Sequence, residues 1–311
     1  MSSDLQLGLT PWRMQKTFDA NTLCEQAELA EQWGYSSFFL PENHFSGSAP
    51  IPDPMLLLAA IAARTSTLLL GTSSYLLPIR NALLAAEQVA SLDHLCGGRL
   101  ILGLGRGYQP GMLEAFGVTN SDKRERFSKN LEAMLAAWRG ETVGGAEHAQ
   151  TLAPLPLQQP HPPLWVAAFG PKAIAQVGRL GLPYLASPME SLAELRDNYR
   201  RHAEALAEHQ HTAPDTVAIM RTVFVSEDAK SCQLVRDKLA ALPAAPLRDG
   251  PAPAVDDWCL LGSAAEVQQR LHDYRQALGL THLIAVRPRV SGIESTSLAE
   301  SFASFSQLTP A

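Results

Sequence analysis

Directly behind an apolar run, Ser37–Leu40, the chain places a proline and then Glu42, Asn43 and His44, within the stretch FLPENHFSGS. A carboxylate, an amide and an imidazole in a row are groups that move protons and hold oxygen atoms. Histidine titrates near neutral pH and can act as acid or base. Asparagine transfers no proton, but its amide can hold a ligand oxygen. Polar or flexible groups follow other apolar runs too: Thr72–Ser74, Gly105–Tyr108 with Arg106, Phe169–Lys172, Ser187–Met189, and Arg287 with Arg289. The glycines of GLGRG let a backbone come close to a ligand. Tyr108 stands where a G-x-G-x-x-G fingerprint needs its last glycine, so this is not a dinucleotide turn. Arg287 and Arg289 read equally as holders of an anionic group and as an ordinary surface pair. His202, His209 and His211 lie among Arg201, Glu204 and Glu208 and read as a solvated helix end, and no residues have metal-ligand spacing.

The elements that must position these groups alternate from end to end. Apolar runs at Leu5–Leu9, Ser37–Leu40, TLLLGTSS, RLILGLG, PLWVAA, LPYLAS, Val217–Val225 and THLIAV predict eight strands. Helical patterns separate them, including Asn21–Trp33, Asp53–Arg64 with Pro54 at its first position, NALLAAEQVASLDHL, Arg124–Arg139, Pro171–Leu180, Ser191–His209, Asp228–Leu242, Ala264–Gly279 and Ser297–Gln307. Capping boxes are expected at Thr22/Glu25, Ser191/Glu194, Ser263/Glu266 and Ser297/Glu300. Strands that are apolar throughout imply a parallel sheet covered on both faces. Eight βα units in 311 residues fit an α/β fold, a single-domain (β/α)₈ TIM barrel with insertions. A doubly wound open sheet is the alternative, although LGLTPWRM after the first strand is no Gly-rich dinucleotide turn. In the barrel, every group named above except the histidines of 202–211 falls at the C-terminal end of a strand, where active sites sit. Phe38, Trp12 and Tyr75 are candidate pocket walls, although aromatic residues at strand ends are more often core. The irregular segment 242–257 is a candidate lid.

Composition narrows the partners. A net charge of −6 argues against a nucleic-acid binder, which needs a basic face. Cys24, Cys96, Cys232 and Cys259 form no CxxC pair and read as reduced thiols. The N-terminus has neither the basic start nor the apolar run of a signal peptide, and no stretch reaches the ~18 apolar residues of a membrane helix. A cytoplasmic protein is expected. The helix PMLLLAAIAAR is apolar on nearly every side, unlike the outer helix of an isolated barrel. That predicts a homodimer through the helices at 53–64 and 81–96.

Taken in order, PENHF, LLLGTSSYLLP, AAEQVASLDHLCGGRLILGLGRGY, WVAAFGPKA, RLGLPYLAS and LLGSAAEVQQRL resemble the bacterial luciferase family of flavin-dependent monooxygenases. The resemblance spans nearly the whole chain and is most specific over Glu87–Gly107. It implies reduced FMN, or in another branch a deazaflavin, bound at the C-terminal rim of the barrel. In the flavin users, oxygen adds to the reduced ring and the resulting C4a-hydroperoxide attacks a small organic substrate such as an aldehyde. The chain has no NAD(P)H fingerprint, so a separate flavin reductase would supply reduced FMN. Relatives dimerise through the same two helices.

Residue by residue, the resemblance assigns His44 and Asn43 to catalysis. The luciferases read Glu-His-His-Phe here, and the first histidine is their important acid/base; Asn43 occupies that position and His44 matches the second. Deazaflavin relatives carry Asp-His. A non-proline cis peptide that lies against the flavin ring in the family corresponds to Ser73–Ser74, and Arg106 to an arginine that contacts the flavin phosphate. The family's Glu-Ser after the fifth strand is Phe169-Gly170, where Gly170 leaves room for a phosphate at a helix N-terminus. Pro171 contributes no N–H there, and GPKA is common in the deazaflavin branch. The expected cofactor contacts are Thr72, Ser73, Ser74, Arg106, Tyr108, Ala168, Phe169, Gly170, Lys172 and Ser187. Deazaflavin-dependent hydride transfer and flavin carriage without turnover remain as alternatives.

Overall fold

The structure, a computed structural model, describes residues 5–13, 19–47, 50–144, 148–242 and 253–308. In chain order the strands are β1 (Gln6–Leu9), β2 (Ser37–Leu40), β3 (Leu69–Thr72), β4 (Tyr75–Leu76), β5 (Leu100–Gly105), β6 (Leu164–Ala168), β7 (Tyr184–Ala186), β8 (Ala218–Val225), β9 (Cys259–Gly262) and β10 (His282–Val286). The helices are α1 (Ala20–Gln32), α2 (Pro54–Ala62), α3 (Ala82–Leu95), α4 (Pro110–Ala115), α5 (Lys123–Trp138) and α6 (Pro171–Arg179). They continue with α7 (Leu192–Glu208), α8 (Ala229–Ala240), α9 (Val255–Trp258), α10 (Ala264–Leu278) and α11 (Ser295–Ser306). The sheet runs β1-β2-β3-β5-β6-β7-β8 and closes through β10, which pairs both β8 and β1. The paired strands with an assigned register are parallel. The fold is therefore the (β/α)₈ barrel that eight apolar runs predict. Every residue of β5 and of β8 is buried, as strands covered on both faces must be.

Contacts divide the described residues into two compact units. The first draws on Met1–Arg13, Leu29–Phe39 and Val166–Ala311. Its core includes Trp12, ring-packed on Trp33 and Phe302, and Phe38, which is wholly buried. Both are core residues rather than pocket walls. The expected boxes at Ser191/Glu194 and Ser263/Glu266 both form, and Gly279 ends α10 in the left-handed conformation. The box expected at Ser297/Glu300 does not, because α11 starts two residues earlier with Glu294 as N-cap. His202 is also a correction: it faces inward, 5% exposed, and its Nε2 lies 2.9 Å from the Leu182 carbonyl oxygen. β9 is an addition to the eight expected strands and pairs with the C-terminal half of β8, off the ring. Most of the candidate lid over 242–257 lies outside the described residues; near its end Val255–Trp258 is a short helix.

The second unit comprises Met14–Glu28 and Leu40–Trp165. Here α1 is capped by Asp19, whose carboxylate accepts from the Asn21 N–H and the Thr22 hydroxyl. Thr22 is thus inside the helix, not its cap. Asp53 caps α2 through the N–H groups of Met55 and Leu56, with Pro54 at the first position. At the N-terminal end of β5, Arg99 donates to the carbonyls of Ala62, Thr65, Leu68 and Cys96 and to the Thr65 hydroxyl. One guanidinium thereby satisfies acceptors left over where α2 and α3 end. Tyr75, also expected as a pocket wall, is fully buried with its hydroxyl on Gln88. α2 and α3 pack on each other, yet Leu56 is 72% exposed, Leu84 55% and Leu95 68%.

Candidate active site

In the second unit, β2 delivers Pro41 and then Glu42, whose side chain has no exposed surface. Its Oε2 accepts from the Leu76 backbone N–H at 2.8 Å. Its Oε1 lies 2.5 Å from His44 Nε2 and also takes the Arg80 guanidinium. Arg80 is held in turn: its guanidinium lies over the Tyr75 ring at 4.4 Å, and Asn130 of α5 donates to the carbonyls of Leu77 and Arg80. His44 packs edge-on against Phe116, 4.8 Å between ring centroids. Phe116 stacks with Phe45, which is 74% exposed and has a left-handed backbone. Asn43 exchanges two backbone hydrogen bonds with Ile51, and these fix the mouth of the loop.

The end of β3 lies beside this group. The Ser73 N–H donates to the Leu40 carbonyl, and the Ser73–Ser74 peptide is cis. Thr72 is buried and spends its hydroxyl on the Gly103 carbonyl. The Ser73 hydroxyl is buried with no hydrogen-bond partner. A Cβ on Gly105 would stand 2.8 Å from the Ser74 Cβ, so only glycine permits the strand to pass this close.

Arg106 follows Gly105 and meets the first turn of α5. Burial, and then repulsion from Arg124, lowers its pKa from 12.5 to about 10. Lys123 is also pushed down, by burial first and then by Arg106 and Arg124, while its Nζ donates to the Gly107 carbonyl. The three cations repel one another, a repulsion that an anion beside them would relieve. Two lysine or arginine residues opening a helix also run against its dipole, which prefers negative charge there. That local conflict is the sequence signal by which Lys123 and Arg124 could have been found; Glu42 was noticed in sequence, but its pairing with Arg80 carries no such signal. Tyr108 is half exposed beyond this cluster.

The first unit carries the remaining predicted residues. Ala168 is buried at the end of β6, and Gly170, at φ +83°, is the N-cap of α6, with Lys172 exposed in its first turn. A Cβ on Gly170 would meet nothing within 4 Å, so the space before α6 is open. The Ser187 N–H donates to Glu190 and its carbonyl accepts from Arg221, two buried side chains. Arg287 is half-buried and pushed down, first by burial and then by Arg289. A cavity of about 330 Å³ beside Ser191, Asp257 and Tyr274 contains none of the predicted residues. Among the described residues no three His, Cys, Asp or Glu side chains gather as a metal site, and no helix is long and apolar enough to cross a membrane.

The fold is a (β/α)₈ barrel, and an acid–base pair and a cation cluster stand at strand ends, where the active sites of such barrels sit. The family described as luciferase-like monooxygenase matches residues 5–282, and the chain belongs to it. Protein y4wF of Sinorhizobium fredii (strain NBRC 101917 / NGR234) is 28% identical over 294 residues, 86% of each chain. The F420-dependent glucose-6-phosphate dehydrogenase of Beutenbergia cavernae is 36% identical over 177 residues, 53% of this chain and 52% of that one. Among solved structures, the oxygenating constituent of 3,6-diketocamphane monooxygenase from the CAM plasmid of Pseudomonas putida, in complex with FMN, superposes with a TM-score of 0.78. It is 19% identical, with 99% of this chain and 98% of that one covered. Relatives therefore use either FMN or the deazaflavin F420.

Proposed function

We propose that this chain is the oxygenase component of a two-component monooxygenase that takes reduced FMN from a separate reductase and inserts oxygen into a small organic substrate. The observation that carries the reading is the Arg106–Lys123–Arg124 cluster at the end of β5, which suits a phosphate monoester. Two further features fit a flat ring above it: the bare backbone where Gly105 passes Ser74, and the unpartnered Ser73 hydroxyl. Reduced flavin, when bound, supplies the two electrons that activate dioxygen.

The chain's own residues do the rest. Arg106, with Lys123 and Arg124, would anchor the phosphate. Asn43 would hold an oxygen of the substrate, and His44 would take or return protons. Phe45 and Phe116 would keep bulk water from the His44 side of the site. The exposed leucines of α2 and α3 would be covered by a second copy of the chain.

Anaerobic titration with reduced FMN and, separately, reduced F420, followed by measurement of dioxygen uptake, tests the reading. Preferential FMN binding with uptake supports it. Preferential F420 binding without uptake would move the chain to deazaflavin-dependent hydride transfer, and FMN binding without uptake or turnover would make it a carrier.

A further inference from the structure

We infer that Glu42 and His44 form a proton-handling dyad, with Glu42 as the positioning residue and His44 Nδ1 as the atom that exchanges the proton. In this chain Asn43 cannot transfer protons, so the task falls on one imidazole. That imidazole is built in from one side: His44 Nε2 is committed to Glu42 Oε1 at 2.5 Å, and its side chain is 8% exposed. Among the described residues Nδ1 makes no hydrogen bond.

Glu42 is itself fixed by two further partners. The Leu76 N–H holds Oε2, and Arg80 shares Oε1 with the histidine. Glu42 thus pairs with both Arg80 and His44. A carboxylate bonded to one ring nitrogen keeps the proton there and fixes the tautomer, leaving the other nitrogen as the base. In the step that follows, an O–H or C–H of the bound substrate gives its proton to Nδ1. The bonding electrons stay on the substrate atom, Nε2 keeps its own proton toward Glu42, and the ring becomes imidazolium. Return of the Nδ1 proton to a product oxygen restores the neutral ring.

The reaction in this inference rests on the flavin-enzyme reading; the tautomer does not, so the test can be run on the protein without flavin. Long-range ¹H–¹⁵N spectra of ¹⁵N-histidine-labelled protein, with His44 assigned by its loss in His44→Gln, distinguish the Nε2–H from the Nδ1–H form. The neutral His44 ring is expected as Nε2–H alone in the wild type and as a mixture in Glu42→Gln. If Glu42→Gln does not fold, Glu42→Asp, too short to hold all three partners, serves in its place. A wild-type Nδ1–H ring, or a tautomer unchanged by either variant, overturns the dyad. Separately, loss of FMN binding by the wild type itself would sink the flavin reading and leave the tautomer result standing.

Discussion

Replacing Arg106 by leucine removes one of the three crowded cations at the end of β5. The cost of holding that charge can be set from the structure: a fall from 12.5 to about 10 corresponds to ~3 kcal/mol of disfavoured charge. A phosphate dianion reverses the balance, because the repulsion from Arg124 and the loss of solvation are both compensated by the ligand. A charge-assisted hydrogen bond of this type contributes about 1.5–3 kcal/mol, or roughly 10- to 150-fold in Kd. The expected outcome is that Arg106→Leu weakens reduced FMN by that factor. Reduced riboflavin, which lacks the phosphate, should bind the wild type more weakly than FMN and be changed less than about threefold by the substitution. Equilibrium titration of both flavins under anaerobic conditions, at fixed ionic strength, measures all four constants. Equal losses for FMN and riboflavin, or no loss for either, would refute the assignment of the cluster to the phosphate.

Inorganic phosphate should raise the thermal midpoint of the flavin-free protein above that in chloride at equal ionic strength, and Arg106→Leu should abolish the difference in a melting scan. Gly178→Ala would bring a Cβ to 2.5 Å from the Ala205 Cβ and 2.9 Å from the His202 carbonyl oxygen, forcing α6 from α7; a loss of about 1–3 kcal/mol is expected in urea unfolding with m unchanged. Burial holds the pKa of His202 below 6.5. The unfolded chain therefore binds the proton first, and His202's contribution to stability is lost as pH falls below 6.5 toward the folded value, at up to about 1.4 kcal/mol per pH unit. Unfolding at pH 7.5 and 5.5 should show a smaller acid loss in His202→Gln than in the wild type. Leu56→Asp with Leu84→Asp should convert a dimer to monomer in sedimentation velocity, and a wild type that is monomeric at all concentrations would exclude the proposed covering of α2 and α3.

What could be read before folding differs by the range of the interaction. The eight barrel strands were legible because each is a local apolar run with turn residues behind it, and the Asp53–Pro54 start of α2 is a local signal too. β9 was not: three apolar side chains and a glycine after a Pro-rich stretch have no periodicity, and they become a strand only because β8 extends past its ring partners. His202 misled for a related reason, since its neighbours in sequence are charged while its ring turns toward β7's approach at Leu182. At the candidate site, the placement of His44, Asn43 and Arg106 behind strands was legible. Their partners were not, because Arg80 lies 38 residues from Glu42 and is brought to it by the turn that Asn130 holds.

The two ends of the second unit are built to different tolerances. Arg99 ties the N-terminal end of β5 to four backbone carbonyls and one hydroxyl. Exchange of Asn43, Phe45 or Phe116 at the opposite end would leave that staple untouched. A substitution at Arg99, by contrast, strands up to five acceptors at once where α2 and α3 end.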